Sequence, residues 1–245
     1  MDDVGGSPGV PLAAASILLV RDAPLEVLMV RRRAGTIFSS KWVFPGGVVD
    51  AHDASEDWLP YIQGAECLDA AERSFRITAC RELFEEADVF MGGVADPDAA
   101  DQRRLGYFDR VRAAGARVPL DSVIPFGHWI TPEGVGKRFD THFYLCRAPR
   151  NAHVKSDGRE IVSAEWAKPQ DIIARGRNVE RSIMFPTLLN LMRLAESTDV
   201  DSALAAAEAR PMFTVVPRVE RRGEVKFLVI PALAGYGITE AQFDD

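Results

Sequence analysis

No stretch of the 245 residues approaches the roughly 18 consecutive apolar residues that a membrane-spanning helix needs, so no span is expected. Basic charge is in short supply too. Against 36 Asp and Glu stand 29 Lys and Arg, and a net charge of −7 argues against a broad electrostatic footprint for nucleic acid. A small phosphorylated ligand is not excluded, because a few placed arginines suffice for one. Cysteine is sparse: Cys67, Cys80 and Cys146 are an odd number and form no Cys-x-x-Cys pair. They fit reduced thiols serving as small buried hydrophobes better than a disulfide framework or a zinc site. Internal repeats and low-complexity linkers are absent, and the ending "AQFDD" is not a peroxisomal signal. The opening "MDDVGGSPGVPLAAASILLV" lacks the basic start of a secretory leader, and its apolar run stops at Arg21-Asp22. A tail followed by a buried strand is expected, in a cytoplasmic protein.

What the chain does have is a succession of short strands and amphipathic helices. "AASILLVRD" and "LEVLMVRRR" are apolar, β-branched runs divided at Ala23-Pro24 and read as paired strands. "KWVFPGGVVD" reads as a third strand broken at Pro45-Gly46-Gly47, where the backbone must turn or approach something closely. Residues 51–70 are acidic and irregular. A helix is predicted from Ala70 to Ala87, with Ile77, Cys80, Phe84 and Ala87 as its buried stripe. "VIPFGHWI", "KRFDTHFYLCRA" and "EIVSAEWA" read as strands, and Pro169 opens a helix over "PQDIIARG". "SIMFPTLLNLMRLAES" and "DVDSALAAAEAR" read as two more helices, and "MFTVVPRVERRGEVKFLVIPAL" as a closing hairpin turning near Arg222-Gly223. The expected organisation is a disordered tail over 1–11 and one mixed α/β domain (α+β type) over 12–245, elaborated from residue 177 onward.

In "RELFEEADV", Glu82, Glu85 and Glu86 fall within roughly a 100° arc of the helix, with Phe84 and Cys80 on the far side. Three carboxylates so close repel one another, and a hard divalent cation would remove that repulsion. A solvated face with Arg81 and Glu85 as an ordinary i, i+4 pair is the plainer reading of this stretch taken alone.

The upstream "FPGG" changes the balance. Gly46-Gly47 ending a strand, followed by a helix bearing Arg81-Glu82-Leu83-x-Glu85-Glu86, resembles the signature of the Nudix hydrolases. That signature runs Gly, five residues, Glu, seven residues, then Arg-Glu-apolar-x-Glu-Glu-x-Gly-apolar. The resemblance covers residues 13 to 170 and includes "SAEWAKPQDI". It implies a Nudix-like α/β/α sandwich with a mixed sheet, here followed by C-terminal helices and the closing hairpin. Three departures stand out. The glycine pair lies well upstream of the signature's glycine, so the box contains an insertion within residues 48–72. Counting back from Arg81 puts the signature's first Glu at Arg73, one residue from Glu72. Asp88 replaces the late Gly.

The resemblance implies hydrolysis of a diphosphate, with Glu82, Glu85 and Glu86 as ligands of Mg²⁺ or Mn²⁺ and Arg81 orienting a glutamate. Gly46 and Gly47 would lie against the substrate. Strand alternation puts Arg31 and Arg33 on one face, either as a phosphate clamp or as solvated strand-end charges. It also puts Arg138, Asp140, His142 and Tyr144 on one face, a candidate pocket wall, with Asp140 either in the site or in a structural hydrogen bond. His128 and His153 show no partner pattern, and Trp42, Trp129 and Trp166 fit base stacking or, more simply, core packing. The split box together with "KWVFPGGVVD", "WITPEG" and "RFDTHFYL" resembles the coenzyme A diphosphatase branch. The insertion at 50–70, with Trp58, Leu59, Tyr61 and Ile62, is either a substrate lid or a loop packed on its own domain. ADP-ribose or a nucleotide sugar as substrate stays open, as does a non-catalytic nucleotide sensor. The expected partner is a small nucleotide, without nucleic acid or membrane and with homodimer formation left open.

Overall fold

The structure is a computed structural model and describes residues 9–22, 24–33, 41–92, 105–133, 136–150, 152–156, 158–178 and 183–243. Most of the tail expected over 1–11 lies outside these. In chain order the elements are β1 (Leu12–Arg21), β2 (Glu26–Arg32), β3 (Trp42–Val43), β4 (Gly46–Val48), β5 (Ile62–Gln63), α1 (Ala70–Ala87), α2 (Tyr107–Ala113), β6 (Val118–Pro119), β7 (Ile124–Ile130), β8 (Phe139–Arg147) and β9 (Ile161–Ala167). After them come α3 (Pro169–Asn178), α4 (Phe185–Leu194), α5 (Val200–Ala209), β10 (Thr214–Val215), β11 (Arg218–Arg222), β12 (Val225–Val229) and β13 (Glu240–Phe243). Among the described residues no helix is long and apolar enough to cross a membrane.

The main sheet runs β10-β7-β8-β1-β2-β3, with β9 on β2 and β4 on β1. It is mixed: β1 pairs with β8 in parallel, while β7–β8, β1–β2 and β2–β9 are antiparallel. Ala14 to Val20 of β1 are all buried, which an antiparallel sheet with one wet face would not allow. Alternation sends Ala15, Ile17 and Leu19 into a core shared with α1, and Leu18 and Val20 into a second core with α4 and α5. Helices therefore cover both faces, giving the α/β/α sandwich.

On the side away from β8, β1 is shared by two strands. β2 pairs at Val20↔Val27, and β4 pairs at Ala14↔Val48 and Ser16↔Gly46. The break expected at Pro45 is where the chain changes partner, β3 staying on β2 and β4 moving to β1. Pro45 has no N–H to give. Its carbonyl accepts from Ile17 N (2.9 Å) and Ser16 Oγ (2.9 Å), so the crossover is anchored on β1.

α1 has its predicted bounds. The Asp69 carboxylate caps it by accepting from Glu72 N, and the helix ends at Asp88, whose φ of 57° is left-handed. The late Gly of the signature would sit at that residue. Aspartate tolerates the conformation better than most residues, but the backbone still favours glycine. Asp88→Gly is expected to raise stability by about 1 kcal/mol, a melting shift of a few degrees. A lower melting temperature would mean that the Asp88 side chain contributes more than its backbone costs.

The insertion folds onto its own domain. Two 3-10 turns, Ala51–Ala54 and Glu56–Tyr61, lead to β5, which pairs with β6. Trp58 is 1% exposed and packs against Tyr107 and Phe108 of α2, an element not read from the sequence. Two of the three cysteines are buried as expected, whereas Cys67 is exposed. At the C-terminal end, the hairpin β11–β12 gains a third strand, β13, and β10 joins the main sheet beside β7. A buried chain of Trp129 Nε1, Tyr236 hydroxyl and Asn190 Oδ1 ties this segment to β7.

Candidate active site

The glycine pair lets α1 come down on the sheet where β4 meets β1. A Cβ on Gly46 would lie 2.5 Å from the Ala15 carbonyl oxygen, and one on Gly47 would lie 2.5 Å from Cδ of Glu82. The Gly46 N–H donates to Glu86 Oε2 (3.0 Å), and Arg32 Nη2 donates to Glu86 Oε1 (2.9 Å). Glu86 is 4% exposed, and burial, opposed by Arg32, pushes its carboxyl up to about 8. Glu82 is raised from the ordinary carboxylate range by the same cause, whereas Glu85 is the outermost of the three.

Arg81 organises this face. Its Nε and Nη2 grip Asp53 in a fork (3.0 and 2.9 Å), and Nη1 reaches Glu82 (2.7 Å) and Glu85 (3.0 Å). Its Nη2 also donates to the Val48 carbonyl (3.0 Å), so the helix is locked to the strand after the glycines. Asp53 is 1% exposed and also accepts from Thr78 Oγ1 (2.7 Å) and Asp50 N (3.0 Å).

Asp53 was missed in the sequence, and its signal was there. It stands with five residues between it and Gly47, the signature's own spacing, with Asp in place of Glu. The inserted segment therefore follows Asp53, and counting back from Arg81 ran across it. Glu72 lies ten residues before Glu82 on α1, about 15 Å along the axis, where it pairs with Arg76 and accepts from the Tyr144 hydroxyl.

The arginine clamp also differs from the reading. Alternation along β2 puts Leu28 and Val30 in the core with α1, so the face that meets α1 carries Arg32 next rather than Arg31 and Arg33. Arg32 faces the site, whereas Arg31 is exposed and Arg33 donates to the carbonyls of Gly158 and Arg159. On β8 the polar face is not the pocket wall. Phe139, Thr141 and Phe143 line a cavity of about 570 Å³, while Asp140, His142 and Tyr144 lie on the other side of the strand. Asp140 bonds to His128 there, so it is not brought to the carboxylates.

The cavity begins at Glu82, Arg32, Gly46, Gly47 and Glu160, the last not singled out in the sequence. It continues along Phe44, Trp129, Phe185 and Leu228, with Lys137 on one wall. Trp129 is both a core residue and part of this wall. Residues 50–70 contribute nothing to it. Four carboxyl groups (Asp53, Glu82, Glu85, Glu86) face two guanidinium groups (Arg32, Arg81), two more acids than bases before Glu160 is counted. All the donors are oxygens, which fits a hard divalent cation.

Residues 67–194, just over half of the chain, match the family model described as the NUDT19 Nudix domain. Acyl-coenzyme A diphosphatase NUDT19 of Gallus gallus is 29% identical over 260 residues, covering 77% of this chain and 69% of that protein. Putative nudix hydrolase 7 of Caenorhabditis elegans is 28% identical over 198 residues, covering 77% and 62%. Acyl-coenzyme A diphosphatase NUDT19 of Homo sapiens is 28% identical over 208 residues, covering 62% and 56%. This chain thus spans between 56% and 69% of the length of these relatives. A solved Nudix hydrolase from Alicyclobacillus acidocaldarius shares the fold, with a TM-score of 0.73 and 24% identity over 84% of this chain and 100% of that one.

Proposed function

We propose that this chain, which belongs to the Nudix hydrolase family, uses a divalent cation to hydrolyse the diphosphate of coenzyme A or an acyl-coenzyme A. The observation that carries the choice of substrate is the cavity. It joins a charged end, where Arg32 and Glu82 stand, to a long apolar wall of Phe44, Trp129, Phe139, Phe143, Phe185 and Leu228. A pantetheine arm with an acyl chain would bury apolar surface along that wall. A second ribose or a sugar would gain less there, because its hydroxyl groups would lie mostly against that apolar wall. The names of the Gallus gallus and Homo sapiens relatives agree with this choice.

Glu82, Glu85 and Glu86 would hold Mg²⁺ or Mn²⁺. When bound, such an ion offsets charge that builds on phosphoryl oxygens and makes water a stronger nucleophile. The chain supplies the geometry around it. Arg81, itself fixed by Asp53, holds Glu82 and Glu85 in place; the Gly46 N–H and Arg32 do the same for Glu86. Arg32 also opens onto the cavity, where its remaining donors meet diphosphate oxygens.

The state of Glu86 sets a pH dependence. Without metal its carboxyl stays protonated up to about 8, and a bound cation requires it ionised, so binding releases a proton. Mn²⁺ affinity is expected to strengthen by up to about tenfold per pH unit between pH 6 and 8, as read by paramagnetic resonance. The sign for folding is opposite. The folded state holds a proton that the unfolded chain loses near pH 4.5, so stability without metal falls as pH rises through the window to about 8. A Mn²⁺ affinity independent of pH would contradict this role for Glu86.

The cavity assignment is tested at Phe185, on its apolar wall. Phe185→Ser is expected to lower kcat/KM for a long-chain acyl-coenzyme A by about tenfold or more, with little change for ADP-ribose. Equal loss on both substrates would remove the cavity as the acyl-binding site.

A further inference from the structure

We propose a second metal site, formed by His128, Asp140 and His142 on the sheet face opposite the cavity and suited to a zinc-type ion. His128 and His142 face each other across β7 and β8, with ring centroids 4.1 Å apart. Asp140 lies two residues before His142 on the same strand face. Its Oδ1 is 2.5 Å from His128 Nε2 and 3.9 Å from His142 Nε2, and one donor atom from each residue falls within 4.8 Å of the others. Zinc bonds of about 2.0–2.2 Å place neighbouring ligand atoms roughly 3.3 Å apart, so sub-ångström to ångström side-chain shifts would complete the triad.

The surroundings support metal rather than a chance cluster. His128 Nδ1 is engaged by Thr214 Oγ1 (2.8 Å), which leaves Nε2 as the ligand atom; an outer partner of this kind fixes the ring of a metal-bound histidine. Phe75 of α1 stacks on the His142 ring at 3.9 Å and 19°, which fixes its plane. The side chains are 16% (His128), 34% (Asp140) and 25% (His142) exposed, so an ion can reach them.

Two imidazoles and a carboxylate differ in kind from the all-oxygen set on α1. The first set suits zinc, the second Mg²⁺ or Mn²⁺. His142 stands two strands from Gly47, since both are in register with Ala15, a separation of about 10 Å. The two sites are therefore distinct. A zinc ion here would clip β7 to β8, and through Thr214 would steady β10 at the sheet edge.

The test uses the full chain, stripped of metal and dialysed against limiting Zn²⁺ in a large excess of Mg²⁺. One zinc per chain should be retained, and its X-ray absorption should show two imidazole ligands. His142→Ala should abolish retention, and Thr214→Val should weaken zinc affinity by about tenfold or more. No retained zinc would overturn the site, as would an all-oxygen shell or unchanged affinity in His142→Ala. Should His142→Ala fail to fold, the absorption spectrum of the unaltered chain decides alone.

Discussion

Glu86→Gln is expected to lower kcat by roughly a hundred- to a thousandfold while the chain still folds. The substitution keeps the shape of the side chain and an oxygen to accept from the Gly46 N–H, so the contact between β4 and α1 survives. It removes the charge that would face a bound cation. Folding should suffer little, because a buried carboxyl already held protonated to about 8 resembles an amide near neutral pH. Mn²⁺ affinity should fall with kcat, and its pH dependence between 6 and 8 should flatten. A variant with kcat within a few-fold of the unaltered chain would remove Glu86 from the metal set.

Asp53→Asn should be the most destabilising single change in the site, costing about 3 kcal/mol or more. Asp53 is 1% exposed and forms both prongs of the contact with Arg81, whose side chain is only 16% exposed. Removing the charge takes the ionic partner from Nε and Nη2 in a poorly hydrated place and leaves only Glu82 and Glu85 on Nη1. It also frees the group that holds Glu82 and Glu85, so kcat should fall by at least about tenfold at temperatures where the variant is folded. Glu72→Gln provides the contrast. Arg76 is buried but also donates to the Leu120 carbonyl, and Glu72 is a quarter exposed, so its loss should cost less than that of Asp53, with no change in kcat. Denaturant unfolding and steady-state rates on both variants distinguish them. Equal damage in the two would mean that Asp53 does not take the place of the box's first acid.

Much of this was legible before any coordinates. α1 announced itself through the helical stripe of Ile77, Cys80, Phe84 and Ala87, and its bounds follow. The strands around it were equally plain, because β-branched runs buried on both faces leave little ambiguity. The three glutamates and Arg81 were legible because the last half of the signature is local, a matter of neighbours on one helix.

What was not legible depended on register or on long-range contact. Asp53 was hidden because an insertion makes the distance to Arg81 depend on where counting starts. Arg32 rather than Arg31 and Arg33 faces the site because alternation runs unbroken from Leu28 and Val30, and which face of β2 meets α1 is decided by long-range packing. The side of β8 that borders the cavity could not be read, since Phe139, Thr141 and Phe143 look like core residues and two of them are aromatic. His128 gained its partners from two neighbouring strands, Asp140 on β8 and Thr214 on β10. Of the two readings open for Trp58 and Tyr61, lid or loop packed on the domain, the contacts favour packing, against α2, a helix of seven residues too short to leave a clear period.

The most direct test of the central claim is identification of the products formed from an acyl-coenzyme A in the presence of Mg²⁺, by mass spectrometry. Cleavage of the diphosphate should yield adenosine 3′,5′-bisphosphate and the acyl-4′-phosphopantetheine in equal amounts, with neither formed in excess chelator. Release of free fatty acid with the diphosphate intact, or undiminished cleavage in chelator, would contradict the account.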